Sequence, residues 1–138
     1  HARFRGRLGD PAFAHCADAA RIFQSYLVND YQEQLLVMLL DTKHHVLRTV
    51  RVYQDSVNSA LVRVGEVFRD AIRDSATAII LCHNHPSGDL MASPEDLALT
   101  EQVAQAGALL DIRLLDHLIV SRSDFVSLKE RWKGYPAV

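Results

Sequence analysis

The sequence predicts an α/β fold, a mixed β-sheet covered by helices, in a single domain over 1–138. Three observations predict it. Two amphipathic stripes carry apolar residues at spacings of three and four, two unbroken apolar runs have strand length, and helix and strand signals alternate without an internal repeat or a Pro/Gly/Ser-rich linker. The 138 residues are 49% apolar, ample for one core, so composition excludes intrinsic disorder.

Each element follows from a local signal. Gly9, Asp10 and Pro11 form a helix start, and Phe13, Cys16, Ala20, Phe23 and Leu27 then fall on one face, which predicts a helix over 11–28. Leu35 to Leu40 is an apolar run, and Val46 to Tyr53 is rich in β-branched residues; with Asp41 to His45 as the turn they predict a hairpin whose first strand is central. Val64, Val67, Phe68, Ala71 and Ile72 mark a second helix, and Thr77 to Cys82 a second buried strand. The stretch from His83 to Ala92 holds Pro86 and Gly88 and is read as a loop. Ser93, Pro94, Glu95 and Asp96 open a third helix that runs to about Ala106 and closes at Gly107, and Arg113 to Val120 is a further strand.

Composition narrows the function. Fifteen Lys and Arg against 17 Asp and Glu leave a formal charge of −2, which argues against a dedicated nucleic-acid binder. The one basic cluster, Arg3, Arg5 and Arg7, reads as a solvated tail. No apolar stretch approaches the ~20 residues of a membrane span, and no export signal is visible, so no membrane partner is expected. Cys16 and Cys82 are too few and too far apart for a disulfide framework or a CxxC metal site, and a cytoplasmic location is the simplest expectation.

The chemistry concentrates in His83-Asn84-His85-Pro86-Ser87-Gly88. Side chains two apart on a strand end point the same way, so His83 and His85 can converge on one atom. Ten residues intervene between His85 and Asp96, which lies in the first turn of a helix that a tight loop could fold over the strand end. Two imidazoles and a carboxylate suit zinc and leave one tetrahedral position for water. Taken singly, these residues have plainer readings: two surface histidines, an N-cap serine, and acids at a helix start. Capping does not explain why Asp96 shares a face with Leu99, Val103, Ala106 and Leu110, where an unpaired charge is costly.

The run from His83 to Asp89, followed by Ser93-Pro94-Glu95-Asp96, Thr100 and Leu115-Asp116-His117, resembles the signature of the bacterial RadC family, whose domain is similar to the JAMM (MPN) metalloprotease fold. The resemblance covers about 12–131. It implies a cytidine-deaminase-like α/β fold, metal ligands at His83, His85 and Asp96, a zinc cofactor, and catalytic roles for Glu33 and Ser93. Read from the residues alone, Glu33 is merely the last charge before a buried strand, and Glu66, its rival, is accounted for by an ion pair with Arg63 or Arg69. His44 and His45, adjacent in a turn, are expected to be exposed; His117 reads as a hydrogen-bonded core histidine rather than a ligand, although the resemblance leaves room for a role behind the ligands, and Cys82 points to the face opposite His83. The chain departs from the family at Asp55, at Val64-Gly65-Glu66 and at Met91-Ala92, where other residues are usual. Nothing in it matches the helix-hairpin-helix segment of full-length members, so an excised domain or a short member is expected.

The resemblance implies a zinc-dependent hydrolase that cuts amide or isopeptide bonds in a peptide or protein substrate. A zinc deaminase is set aside because no Pro-Cys-x-x-Cys is present. The alternative from another class is a non-catalytic DNA-repair accessory or interaction module, with DNA as the partner suggested by the family's repair name.

Overall fold

The computed structural model describes residues 16–27, 32–55 and 62–136. Along the chain lie α1 (Cys16–Gln24), β1 (Glu33–Leu40), β2 (Val46–Asp55), α2 (Val64–Arg73), β3 (Ala78–Asn84), α3 (Pro94–Leu110), β4 (Arg113–Val120), β5 (Phe125–Ser127) and α4 (Leu128–Arg131). The predicted start of the first helix, at Gly9 to Pro11, and the basic cluster at Arg3 to Arg7 fall outside the described residues.

The five strands form one sheet in the order β2-β1-β3-β4-β5. β1 runs antiparallel to both β2 and β3, β3 and β4 are parallel, and β4 and β5 are antiparallel. The sheet is therefore mixed, as the sequence predicts. α3 is the crossover that the parallel pair requires.

Alternation along the central strands divides the core into two layers. Leu35, Val37, Leu39, Ile79 and Leu81 pack with Val67, Phe68, Leu99 and Val103 under α2 and α3. Leu36, Met38, Leu40, Ile80 and Cys82 pack with Ala19, Ala20 and Phe23 of α1 on the other face. The same period carries His83 to the α3 side and leaves Cys82 on the α1 side.

β4 interrupts this alternation once. Ile79 pairs with Leu114 but Ile80 with Asp116, so Leu115 is an extra residue in the ladder. The irregularity lets both Leu114 and, three residues on, His117 face α3, while Asp116 and Leu118 face α1. A strict period of two would have sent Leu114 and His117 to opposite faces.

Several expectations need correction. β3 extends through Asn84, so His83 belongs to the strand rather than to the following loop, and its backbone pairs with Leu35 of β1 and Ile119 of β4. α3 does not close at Gly107 but runs three residues further, to a cap at Asp111 in the left-handed conformation. Gly107 serves packing instead: a Cβ there would lie 2.3 Å from the Ile112 carbonyl oxygen and 3.3 Å from the Phe68 ring. The buried face of α3 is Asp96, Leu99, Thr100, Val103, Ala104 and Gly107, with Ala106 only half-buried and Leu110 exposed. His44 and His45 are half-buried rather than exposed, and His45 bonds the Asp41 carboxylate. β5 and α4 have no counterpart among the predicted elements.

Candidate metal centre

Three elements meet at the C-terminal end of β3. His83 is its penultimate residue, and the tight loop after it turns back so that α3 begins over the strand end. Ser93 caps α3, accepting the Asp96 N–H at 3.1 Å while the Asp96 carboxylate accepts the Ser93 N–H at 2.7 Å. Proline at the first helical position needs no hydrogen-bond donor there. This reciprocal cap fixes the carboxylate at the strand end.

His83, His85 and Asp96 come together. His83 Nε2 lies 2.8 Å from Asp96 Oδ1, His85 Nε2 lies 3.0 Å from Asp96 Oδ2, and the two Nε2 atoms are 3.1 Å apart. Glu33 is half-buried beside them, and one ligand atom from each of Glu33, His83 and His85 lies within 4.8 Å of the others. It is therefore not a solvated strand end. Two donor sets share the histidines, one completed by Asp96 and one by Glu33.

Asn84, between the histidines, is a residue whose part the sequence reading missed. Its side-chain oxygen accepts the Gln34 N–H at 2.9 Å, and its amide donates to the Gln32 carbonyl at 3.0 Å. The amide thus holds the start of β1, and with it Glu33, against the end of β3. Glu66, by contrast, is bound to the Tyr53 hydroxyl and lies 3.4 Å from Arg69. Ser93 lines a cavity of about 600 Å³ together with Glu33, His85, Ser87, Met91 and Asp96.

The hydrogen bonds decide which protons the site can supply. His85 Nδ1 lies 2.9 Å from the Asp89 carbonyl, which can only accept, so Nδ1 carries the proton and Nε2 presents its lone pair to Asp96. Two acceptors facing at this distance require a cation between them, either a proton on Nε2 or a metal ion. The titration directions agree. Hydrogen bonding to Asp96 raises His85 against the opposing effect of burial. Burial alone would raise Asp96, but the hydrogen bonds from His83 and His85 outweigh it and hold the carboxyl well below the usual range. Burial, and then the neighbouring His83, push His117 well below an ordinary histidine, so it stays neutral.

Imidazole nitrogens with a carboxylate are a donor set that suits a first-row divalent ion, and the excess of acceptors fits one. No described helix is long and apolar enough to cross a membrane.

Residues 13–134 match the family described as RadC-like JAB domain. A UPF0758 protein of Chloroflexus aggregans is 49% identical over 118 residues, which cover 86% of this chain and 52% of that protein. One from Shouchella clausii is 41% identical over 125 residues, 91% of this chain and 54% of its own length. A third, from Clostridium perfringens, is 42% identical over 115 residues, 83% of this chain and 51% of that one. The chain spans about half the length of the curated relatives it matches.

Proposed function

The chain belongs to the RadC-like JAB domain family, and on that premise we propose that it is a zinc-dependent hydrolase of amide or isopeptide bonds. One observation carries the reading: two imidazole Nε2 atoms and a carboxylate converge within 2.8–3.1 Å, beside a second carboxylate in one cavity. His83, His85 and Asp96 would hold the ion. Zinc supplies a Lewis acid that polarises a substrate carbonyl and makes water acidic enough to attack near neutral pH.

The remaining work falls to the chain. Glu33 takes a proton from the attacking water on its carboxylate and returns it to the leaving amine. Ser93 has its oxygen engaged by the Asp96 N–H, which leaves its O–H free to donate to the developing oxyanion. The cap and the hydrolytic role therefore use different parts of one hydroxyl.

The cavity also bears on the substrate. Glu33, Asp89, Glu95 and Asp96 line it, and no Lys or Arg does among the described residues. Such a lining repels phosphodiesters and supports a peptide or protein substrate over DNA at this site.

The test is Glu33→Gln, assayed with zinc-reconstituted protein on a panel of peptide and isopeptide substrates. Cleavage should fall ~10²–10⁴-fold, since glutamine keeps the shape but cannot accept the proton. Zinc affinity should stay at the wild-type value. Loss of zinc from this variant would instead make Glu33 a ligand, and unchanged cleavage would remove it from the reaction.

A further inference from the structure

Behind His83 lies a buried polar chain that the hydrolytic scheme does not use. Thr100 Oγ1 is 2.8 Å from the carbonyl of Asp96, one turn earlier on α3, and 2.7 Å from His117 Nδ1. His117 Nε2 is 2.8 Å from His83 Nδ1. Thr100 and His117 are fully buried and His83 is 1% exposed, so these groups can satisfy one another but cannot turn to solvent.

The direction of the chain follows from its one unambiguous end. A carbonyl only accepts, so the Thr100 hydroxyl donates its single proton to Asp96. Oγ1 can then only accept from His117, which places a proton on Nδ1. A neutral imidazole carries one N–H, so His117 Nε2 is a lone pair and accepts from His83 Nδ1–H. What remains on His83 is the lone pair of Nε2, 2.8 Å from Asp96 Oδ1 and 3.1 Å from His85 Nε2.

We propose that Thr100 and His117 are positioning residues, forming a one-way hydrogen-bond relay that fixes the proton of His83 on Nδ1 and turns Nε2 into the site as a ligand. The relay begins on the backbone of Asp96 and ends on His83, so it closes a ring through two of the three ion-holding residues. His85 reaches the same tautomer through the Asp89 carbonyl. Both imidazoles thereby offer Nε2, and the carbonyls of Asp89 and Asp96 set the proton positions. The consequence for metal binding rests on the function proposed above; the direction of the hydrogen bonds does not.

Two variants and two readouts test it. Thr100→Val removes the hydroxyl without touching a ligand, and Thr100→Ser restores it. In metal-free wild type, two-bond ¹H–¹⁵N correlation of the histidine rings should find His117 protonated on Nδ1 with Nε2 bare. In Thr100→Val the His117 proton should move to Nε2, and zinc affinity, measured by competition with a chromogenic chelator, should fall ~10–100-fold. Thr100→Ser should return both to the wild-type values. A wild type with the His117 proton on Nε2 would overturn the relay, and that spectrum decides the matter even if the valine variant misfolds. A folded Thr100→Val with unchanged tautomer and zinc affinity would overturn it equally. Failure of wild type to take up zinc would instead remove the proposed function, and the ring spectra would still decide the relay.

Discussion

Asp96 and Asp116 are two carboxylates of similar burial, 9% and 7% exposed, on opposite sides of the same sheet. Asp116 meets only donors: the His117 N–H at 2.7 Å, the Ser127 hydroxyl at 2.6 Å and the Lys129 N–H at 3.1 Å. Burial still pushes its carboxyl upward, with those bonds acting against it. Asp96 has one backbone donor, from Ser93, and otherwise faces two imidazole nitrogens. Its carboxyl is displaced downward, against the effect of burial. A buried acid whose donors are complete ties elements together, here β4 to β5 and α4. A buried acid facing other acceptors demands a cation, and that deficit marks a site.

The comparison is broken or sharpened by substitutions on each side. The largest effect is expected from Asp96→Asn. The amide oxygen can still cap α3, so the fold should persist, but zinc affinity should fall by more than the ~10–100-fold that removing an outer partner costs. Chelator competition and thermal melting together check this, and retained affinity would shift the third ligand to Glu33.

Ser93 comes next, because it serves both the cap and the cavity. Ser93→Asn should lower turnover ~10²-fold or more with little loss of stability, since a cap-competent amide does not place a donor where the hydroxyl does. Ser93→Ala should lose turnover and also ~0.5–2 kcal/mol of stability. Wild-type turnover in the asparagine variant would reduce Ser93 to a cap.

The smallest effect on the site is expected from Asp116→Ala. It leaves three donors without a partner and should cost about 1–3 kcal/mol, read by urea denaturation. Zinc affinity should not move. A loss of zinc there comparable to that of Asp96→Asn would erase the distinction between the two carboxylates.

Much of this arrangement is legible in the sequence, for reasons that are local. The strand before His83 is a contiguous apolar run, and Ser93-Pro94-Glu95-Asp96 is a helix start whose signals lie within four residues. What was not legible depends on contacts across the fold. Gly107 reads as a terminator until Ile112 and Phe68 are seen crowding its α-carbon. The extra residue at Leu115 leaves no mark in a strand of mostly apolar residues, yet it brings His117 to the α3 side. Asn84 and Thr100 act through hydrogen bonds to other segments or to a neighbouring turn, which no periodicity reports. β5 has three residues and α4 four, too short for either period to show.

The central claim is that the acceptors gathered at the end of β3 exist to hold one cation. Bound metal per chain after zinc reconstitution, measured on wild type beside His83→Ala, tests it most directly. About one zinc per chain in wild type and none retained in His83→Ala is the predicted result. No saturable uptake by wild type, or equal uptake by the two proteins, would contradict it.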